Sequence, residues 1–147
     1  MHRRENHDLM PKWFEAINEL AVEHPEYEFI FPMHPNPNVQ KHKDLLPNVT
    51  VIEPVSHEEI TKLVRECSIV ISDSGGLQEE CSYFNKYCLV CRRVTERHAL
   101  TNVLVTVPSG LKYEFERYYK KRPKFDCAFG EGDTAEKIVE IMKNEIL

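Results

Sequence analysis

The 147-residue chain is 41% hydrophobic and 29% charged, the proportions of a soluble globular domain and not of a disordered segment. Its 24 acidic and 19 basic side chains leave a formal charge of −5, which argues against a nucleic-acid or anionic-membrane binder. No apolar run approaches the roughly 20 residues of a membrane helix. The charged start Met1-His2-Arg3-Arg4 has no apolar stretch behind it, so no signal peptide is expected and the chain reads as cytoplasmic.

Leu9, Trp13, Ile17, Leu20 and Ala21 recur at helical spacing, with Asp8 placed to cap the helix, Pro11 in its first turn and Pro25 beyond its end. Residues 27–31 alternate and are rich in aromatics, a strand pattern, and residues 49–52 read as a second strand. Ser56-His57-Glu58-Glu59 is a capping box that opens a helix reaching about residue 65. The β-branched run 68–72 suits a buried parallel strand. Gly75-Gly76 then lead into a helix over 77–84, a strand over 88–91 and a fifth strand over 103–107. The last helix runs over 134–145, with Ala135, Ile138, Val139 and Met142 as its inner face. This alternation predicts one α/β domain over residues 1–147 with a Rossmann-like, doubly wound parallel sheet.

Five cysteines (Cys67, Cys81, Cys88, Cys91, Cys127) sit mostly among apolar residues and read as free thiols. Cys88-Leu89-Val90-Cys91 spells C-x-x-C, but it lies in a strand, not at a helix start, and lacks the second ligand pair a zinc site needs. Histidines and carboxylates show no ligand-spaced cluster, so no metal is expected. Residues 112–124 mix Tyr113, Phe115, Tyr118 and Tyr119 with lysine and arginine. Such a stretch could stack on nucleic acid, but the acidic balance favours an amphipathic helix packed by its aromatic face.

Ligands of a parallel sheet bind beyond the carboxyl ends of its strands. Four polar segments fall there or at the chain start: His2 to His7, Met33 to Asn38, Asp73 to Gly76, and Arg92 to Arg97. The third is the most informative. Ser74, Gly75 and Gly76 open a helix where backbone amides can approach a phosphate, and the helix dipole favours the anion. Glu80, about one turn further in, is placed to accept from ribose hydroxyls. His2 and His34 are candidates for proton transfer or phosphate contact, and Arg97 for a phosphate clamp or a surface ion pair. His7, His24, His42 and His57 read as solvent-facing or capping residues.

In order, HRREN at 2–6, HPNPN at 34–38, DSGGLQEE at 73–80 and VTER at 94–97 closely resemble the C-terminal half of the non-hydrolysing UDP-N-acetylglucosamine 2-epimerases. Phe129-Gly130-Glu131-Gly132 resembles the family's aromatic-Gly-acid-Gly segment before the last helix, and the likeness covers nearly the whole chain. It implies one half of a GT-B architecture, whose active site lies between two Rossmann-like domains. It also implies interconversion of UDP-GlcNAc and UDP-ManNAc without a cofactor. The C2 proton is removed, UDP is eliminated to leave a glycal, and UDP returns with inversion at C2.

By the same resemblance, Ser74, Gly75 and Gly76 would hold the diphosphate and Glu80 the ribose, with Arg97 and His34 lining the nucleotide site. His2 would be the functional histidine facing the phosphates, and Arg3, Glu5 and Asn6 would shape that junction. The family's acid/base carboxylates belong to its N-terminal domain, so this chain alone is expected to bind UDP or UDP-GlcNAc without epimerising it. A separate N-terminal half, or a homodimer, is the expected partner, with a stand-alone UDP-sugar-binding module as the alternative. The chain departs from the family pattern at Asn85, Tyr87 and His98, at Ile60 where an aromatic often meets the uracil, and in a shortened segment between Val107 and Phe129.

Overall fold

A short 3-10 turn (Arg4–Leu9) runs directly into α1 (Met10–Glu23). Leu9, not Asp8, is the N-cap of α1, and no side chain caps it. The expected cap is therefore absent, because the preceding 3-10 turn already brings the chain into helical geometry there. In this computed structural model, which describes residues 1–124, 128–130 and 132–145, five strands follow: β1 (Ile30–Pro32), β2 (Thr50–Ile52), β3 (Val70–Ser72), β4 (Cys88–Val90) and β5 (Asn102–Leu104). The helices between and after them are α2 (Pro37–Gln40), α3 (His57–Glu66), α4 (Gly75–Tyr83), α5 (Leu111–Tyr118) and α6 (Thr134–Glu145). No helix among the described residues is long and apolar enough to cross a membrane.

Every paired strand is parallel to its neighbour. β1 pairs with β2, while β3, β4 and β5 form a second ladder in that order. The expected single ladder is thus divided between β1 and β3, which flank an apolar cavity of about 440 Å³ whose walls include Phe29, Ile60, Leu63, Ile69 and Phe115. Each strand is also shorter than its apolar run. Hydrogen bonds nevertheless continue past the ends, from Thr50 N to Phe29 O at 2.8 Å and from Val105 N to Val90 O at 2.9 Å.

Alternation along β4 assigns the two faces of the sheet. Leu89 and Cys91 belong to the large core built on Met10, Trp13, Phe14 and Leu20 of α1 and on Leu111 and Phe115 of α5. Cys88 and Val90 belong to a smaller core with Val64 of α3 and Cys81 of α4. Helices therefore cover both faces, as a doubly wound domain requires. The same alternation settles the C-x-x-C motif: three positions apart on a strand, Cys88 and Cys91 enter opposite layers. All four described thiols (Cys67, Cys81, Cys88, Cys91) are free, and Cys127 lies outside the described residues.

The capping box forms as read, with Ser56 N donating to Glu59 Oε2 at 2.8 Å and Glu59 N to Ser56 Oγ at 3.3 Å. Asn85, at a place where the family usually has glycine, takes φ 54°, a left-handed conformation that asparagine tolerates better than most residues. In the basic-aromatic stretch Phe115 is buried and Tyr118 and Tyr119 pack against the core, whereas Tyr113 stays exposed. Phe115 lies 5.1 Å from the His24 ring and 5.0 Å from Tyr119, with Lys120 over the Tyr119 ring at 4.9 Å. One expectation is corrected: the intended inner face of α6 is not covered, and Ile138, Val139, Ile141 and Met142 are each at least half exposed. Amphipathic spacing shows that a face needs cover; it does not show that the same chain supplies it.

Candidate functional site

The site is hung on Asp73, the residue after β3, whose side chain is fully buried. Its carboxylate accepts from the His2 amide at 3.1 and 3.0 Å, from the Arg3 amide at 2.8 Å and from Asn6 Nδ2 at 3.0 Å. Asn6 Nδ2 also donates to Cys91 O at 2.8 Å, tying the loop to the end of β4. Burial alone would raise the Asp73 pKa. The chain's amino group, the Arg3 and His2 amides and Asn6 outweigh it and hold the carboxyl below its ordinary value. A buried carboxylate with this many donors is satisfied, so Asp73 organises the loop and sets the positions of its neighbours.

Those neighbours are His2 and His34. Their rings stack with centroids 4.8 Å apart and planes within 14°. His34 comes from the end of β1, where its Nδ1 accepts from the Asn36 amide at 3.1 Å; this leaves the ring proton on Nε2. His2 Nδ1 lies 3.6 Å from Asp73 Oδ1. Partial burial is the main cause lowering the His2 pKa. Asp73 opposes it, while the chain's amino group, His34 and Arg3 push the same way as burial. The lowered value favours the neutral imidazole.

Beyond Asp73 the chain turns into α4 with Ser74 as N-cap and no side-chain cap bond. The first amides of a helix have no intrahelical acceptor, so they offer hydrogen bonds to an anion, reinforced by the dipole. Arg97 stands against this end of the helix. A Cβ added at Gly75 would meet its Cζ at 2.7 Å and its NH1 at 2.8 Å, so glycine is what lets the guanidinium pack there. Gly76 has open space around the corresponding position. Arg97 Nε donates to Glu79 Oε1 at 2.6 Å and NH1 to Glu96. Buried Gln78 links the two segments, donating to Ser74 O at 3.1 Å and accepting from Thr95 Oγ1 at 2.6 Å, while the Arg97 amide donates to Thr95 Oγ1.

One turn along α4, Glu80 Oε1 lies 3.0 Å from His57 Nε2, and its buried Oε2 has no hydrogen-bond partner among the described residues. Glu80 borders a second cavity, of about 360 Å³, with His57, Thr61, Tyr83, Phe84 and Phe129 among its walls. The sequence candidates thus gather in two linked groups: His2, His34, Ser74, Gly75 and Arg97 around the ends of β1, β3 and β4, and Glu80 one turn on. One histidine differs from the solvent-facing reading: His24 is buried against Glu116, at 2.8 Å. His57 is exposed as expected, at the start of α3, and also contacts Glu80.

Sequence reasoning did not single out Asp73, although its position between a β-branched run and two glycines was the available signal. Nor could it see that Glu23, His24 and Glu116 bring ligand-type atoms within 4.8 Å of one another. Glu116 is remote in sequence, and Glu23 is paired with Lys112.

A sequence profile of UDP-N-acetylglucosamine 2-epimerase matches residues 1–143. The chain belongs to this family. The UDP-N-acetylglucosamine 2-epimerase of Neisseria meningitidis is 35% identical to it over 162 residues, covering 97% of this chain and 43% of that protein. The Campylobacter jejuni enzyme of the same name is 33% identical, covering 96% and 41%. The Neisseria meningitidis UDP-GlcNAc 2-epimerase solved with UDP-GlcNAc superimposes with a TM-score of 0.85, at 35% identity, over 98% of this chain and 43% of that one. The Methanocaldococcus jannaschii enzyme solved with UDP-GlcNAc and UDP gives 0.78 at 26% identity over 97% and 43%. The chain therefore spans about two fifths of the length of the relatives it matches, corresponding to the C-terminal, Rossmann-like half of the GT-B architecture. In the terms of the 2-epimerase family, HRREN is the loop held by Asp73, HPNPN brings in His34, DSGG opens α4, and TER sets Arg97 upon it.

Proposed function

We propose that this chain forms the UDP-binding half of a UDP-GlcNAc 2-epimerase active site and does not epimerise without a complementary half. The carrying observation is the arrangement along α4. An uncapped N-terminus with a guanidinium packed on Gly75 is followed one turn later by a carboxylate with an unpartnered buried oxygen. A helical turn rises about 5.4 Å, a spacing that suits a diphosphate at one level and a ribose hydroxyl at the next.

The chemistry assigns the residues. Elimination of UDP from the C1 position of the sugar leaves charge on the diphosphate, which the amides of Ser74, Gly75 and Gly76 and the Arg97 guanidinium stabilise. His2, neutral before the anion arrives, carries a proton to the departing phosphate oxygen and recovers it on return; His34 holds its ring in place by stacking. Removal of the C2 proton needs a base on the other side of the sugar, which the family draws from its N-terminal domain. Half a cleft lacks that positioned group, so proton exchange at C2 is not expected from this chain alone. The uncovered apolar stripe on α6 supports the expectation of a covering partner, an N-terminal half or a second copy.

Calorimetric titration with UDP tests the reading. The expected result is binding at micromolar to millimolar strength, weakened in Glu80→Ala, with no C2 proton exchange in deuterated water. Folded protein that shows no heat with UDP would refute it.

A further inference from the structure

Glu80 as described has one oxygen engaged and one idle. An idle buried carboxylate oxygen is costly, because its lost hydration is not repaid by any donor. Its partner in the functional state must therefore come from outside the described residues, and the cavity that Glu80 borders provides the room. What holds the carboxylate so that this oxygen, and not the other, is left over is His57. The His57 backbone is fixed by the Ser56–Glu59 capping box at the start of α3. Its Nε2 reaches across to Glu80 Oε1 at 3.0 Å, although its side chain is 80% exposed and nothing else in the core requires it.

We propose that His57 is a positioning residue for the nucleoside: it holds Glu80 Oε1 and so presents Oε2 to a hydroxyl donor of the ligand. The inference rests on the UDP-binding reading and extends it by one residue and one selectivity. A carboxylate free to rotate accepts from water as readily as from a ribose. One clamped at Oε1 offers a single acceptor at a fixed place; assigned to the ribose 2′-hydroxyl, it is satisfied by a ribonucleotide and left unpaired by a 2′-deoxyribonucleotide, which keeps only the 3′-hydroxyl. Discrimination of this kind comes from leaving a built acceptor unpaired when the wrong ligand binds. The other walls of the cavity, among them Thr61, Tyr83 and Phe129, come from α3, α4 and the Gly-rich segment, so the clamp sits where three elements meet.

The test is a set of titrations with UDP and 2′-deoxy-UDP on the wild-type chain, His57→Ala and His57→Gln. Wild type is expected to favour UDP by about tenfold, the value of one hydrogen bond to a charged group. His57→Ala should lower UDP affinity by about threefold to fivefold and shrink the preference to about threefold. His57→Gln, whose amide nitrogen can donate from nearly the same place, should restore both. UDP binding by His57→Ala with an unchanged preference, whatever its absolute strength, would overturn this inference and leave the UDP reading standing. A folded wild-type chain that binds neither nucleotide would overturn both.

Discussion

Replacing each glycine at the start of α4 by alanine separates the stability of this domain from its binding chemistry. At Gly75 the new methyl would stand 2.7 Å from Arg97 Cζ, 2.8 Å from NH1 and 3.0 Å from Nε. Carbon contacts relax to about 3.5–4.0 Å, so the guanidinium must retreat by roughly 1 Å. The Arg97 Nε bond to Glu79, now 2.6 Å, would then open to about 3.6 Å, beyond hydrogen-bond range. Nothing in the core has to move, because the displaced atoms are the far end of a flexible side chain. Alanine also favours a helix over glycine by up to about 1 kcal/mol, so Tm should hold or rise by up to about 3 °C. UDP affinity should instead fall by about tenfold as the cation leaves the anion site. Gly76→Ala is the companion: the methyl enters open space, so the free protein is undisturbed, and only a ligand approaching the backbone would meet it. Thermal unfolding and calorimetry with UDP read both quantities. Gly75→Ala that unfolds the protein, or Gly76→Ala that binds UDP like wild type, would refute this account of α4.

Asp73→Asn keeps the size of the side chain but gives one oxygen in place of two for the His2 and Arg3 amides. It should cost about 2–4 kcal/mol in urea unfolding. The folded Asp73 carboxyl lies below its ordinary value of 3.8, so its contribution is complete above that pH and is lost as pH falls through the folded value. The gap between wild type and variant should therefore narrow in acid, and a gap constant from pH 7 to 3 would contradict the assignment. Glu79→Gln releases one of the two carboxylates that hold Arg97 and should strengthen UDP binding by about twofold to fivefold; weaker binding would show that Glu79 orients the guanidinium usefully. Burial pushes the Cys67 thiol up to about 11 and the Cys91 thiol well above its ordinary range. In a Cys127→Ser background, an aromatic disulfide reagent should thus label the native protein only at the rate of unfolding.

Several features were legible in sequence because they are local. The Ser56–Glu59 capping box, the start of α6 at Thr134 and the strand–glycine–helix passage into α4 depend on residues within a few positions of one another. The strands were found but overextended. An apolar run marks burial, whereas the length of a ladder depends on where its neighbours lie. His24 was misjudged for a similar reason, since its burial depends on Glu116 and Tyr119, about ninety residues away. His57 was read through its place in the cap, which says nothing of Glu80 twenty-three residues on.

The family, the alternation of strands and helices, and the candidate site residues follow from the sequence, because motif order and hydrophobic period are properties of one dimension. Tertiary structure decided which of those residues touch. It placed the Asp73 carboxylate under the HRREN loop, stacked His2 on His34, laid Arg97 over Gly75 and left Glu80 with one oxygen unpaired. The first three are contacts between segments brought together by β1, β3, β4 and the helices around them. Their distances are set by how the layers pack, a quantity that no spacing along the chain contains.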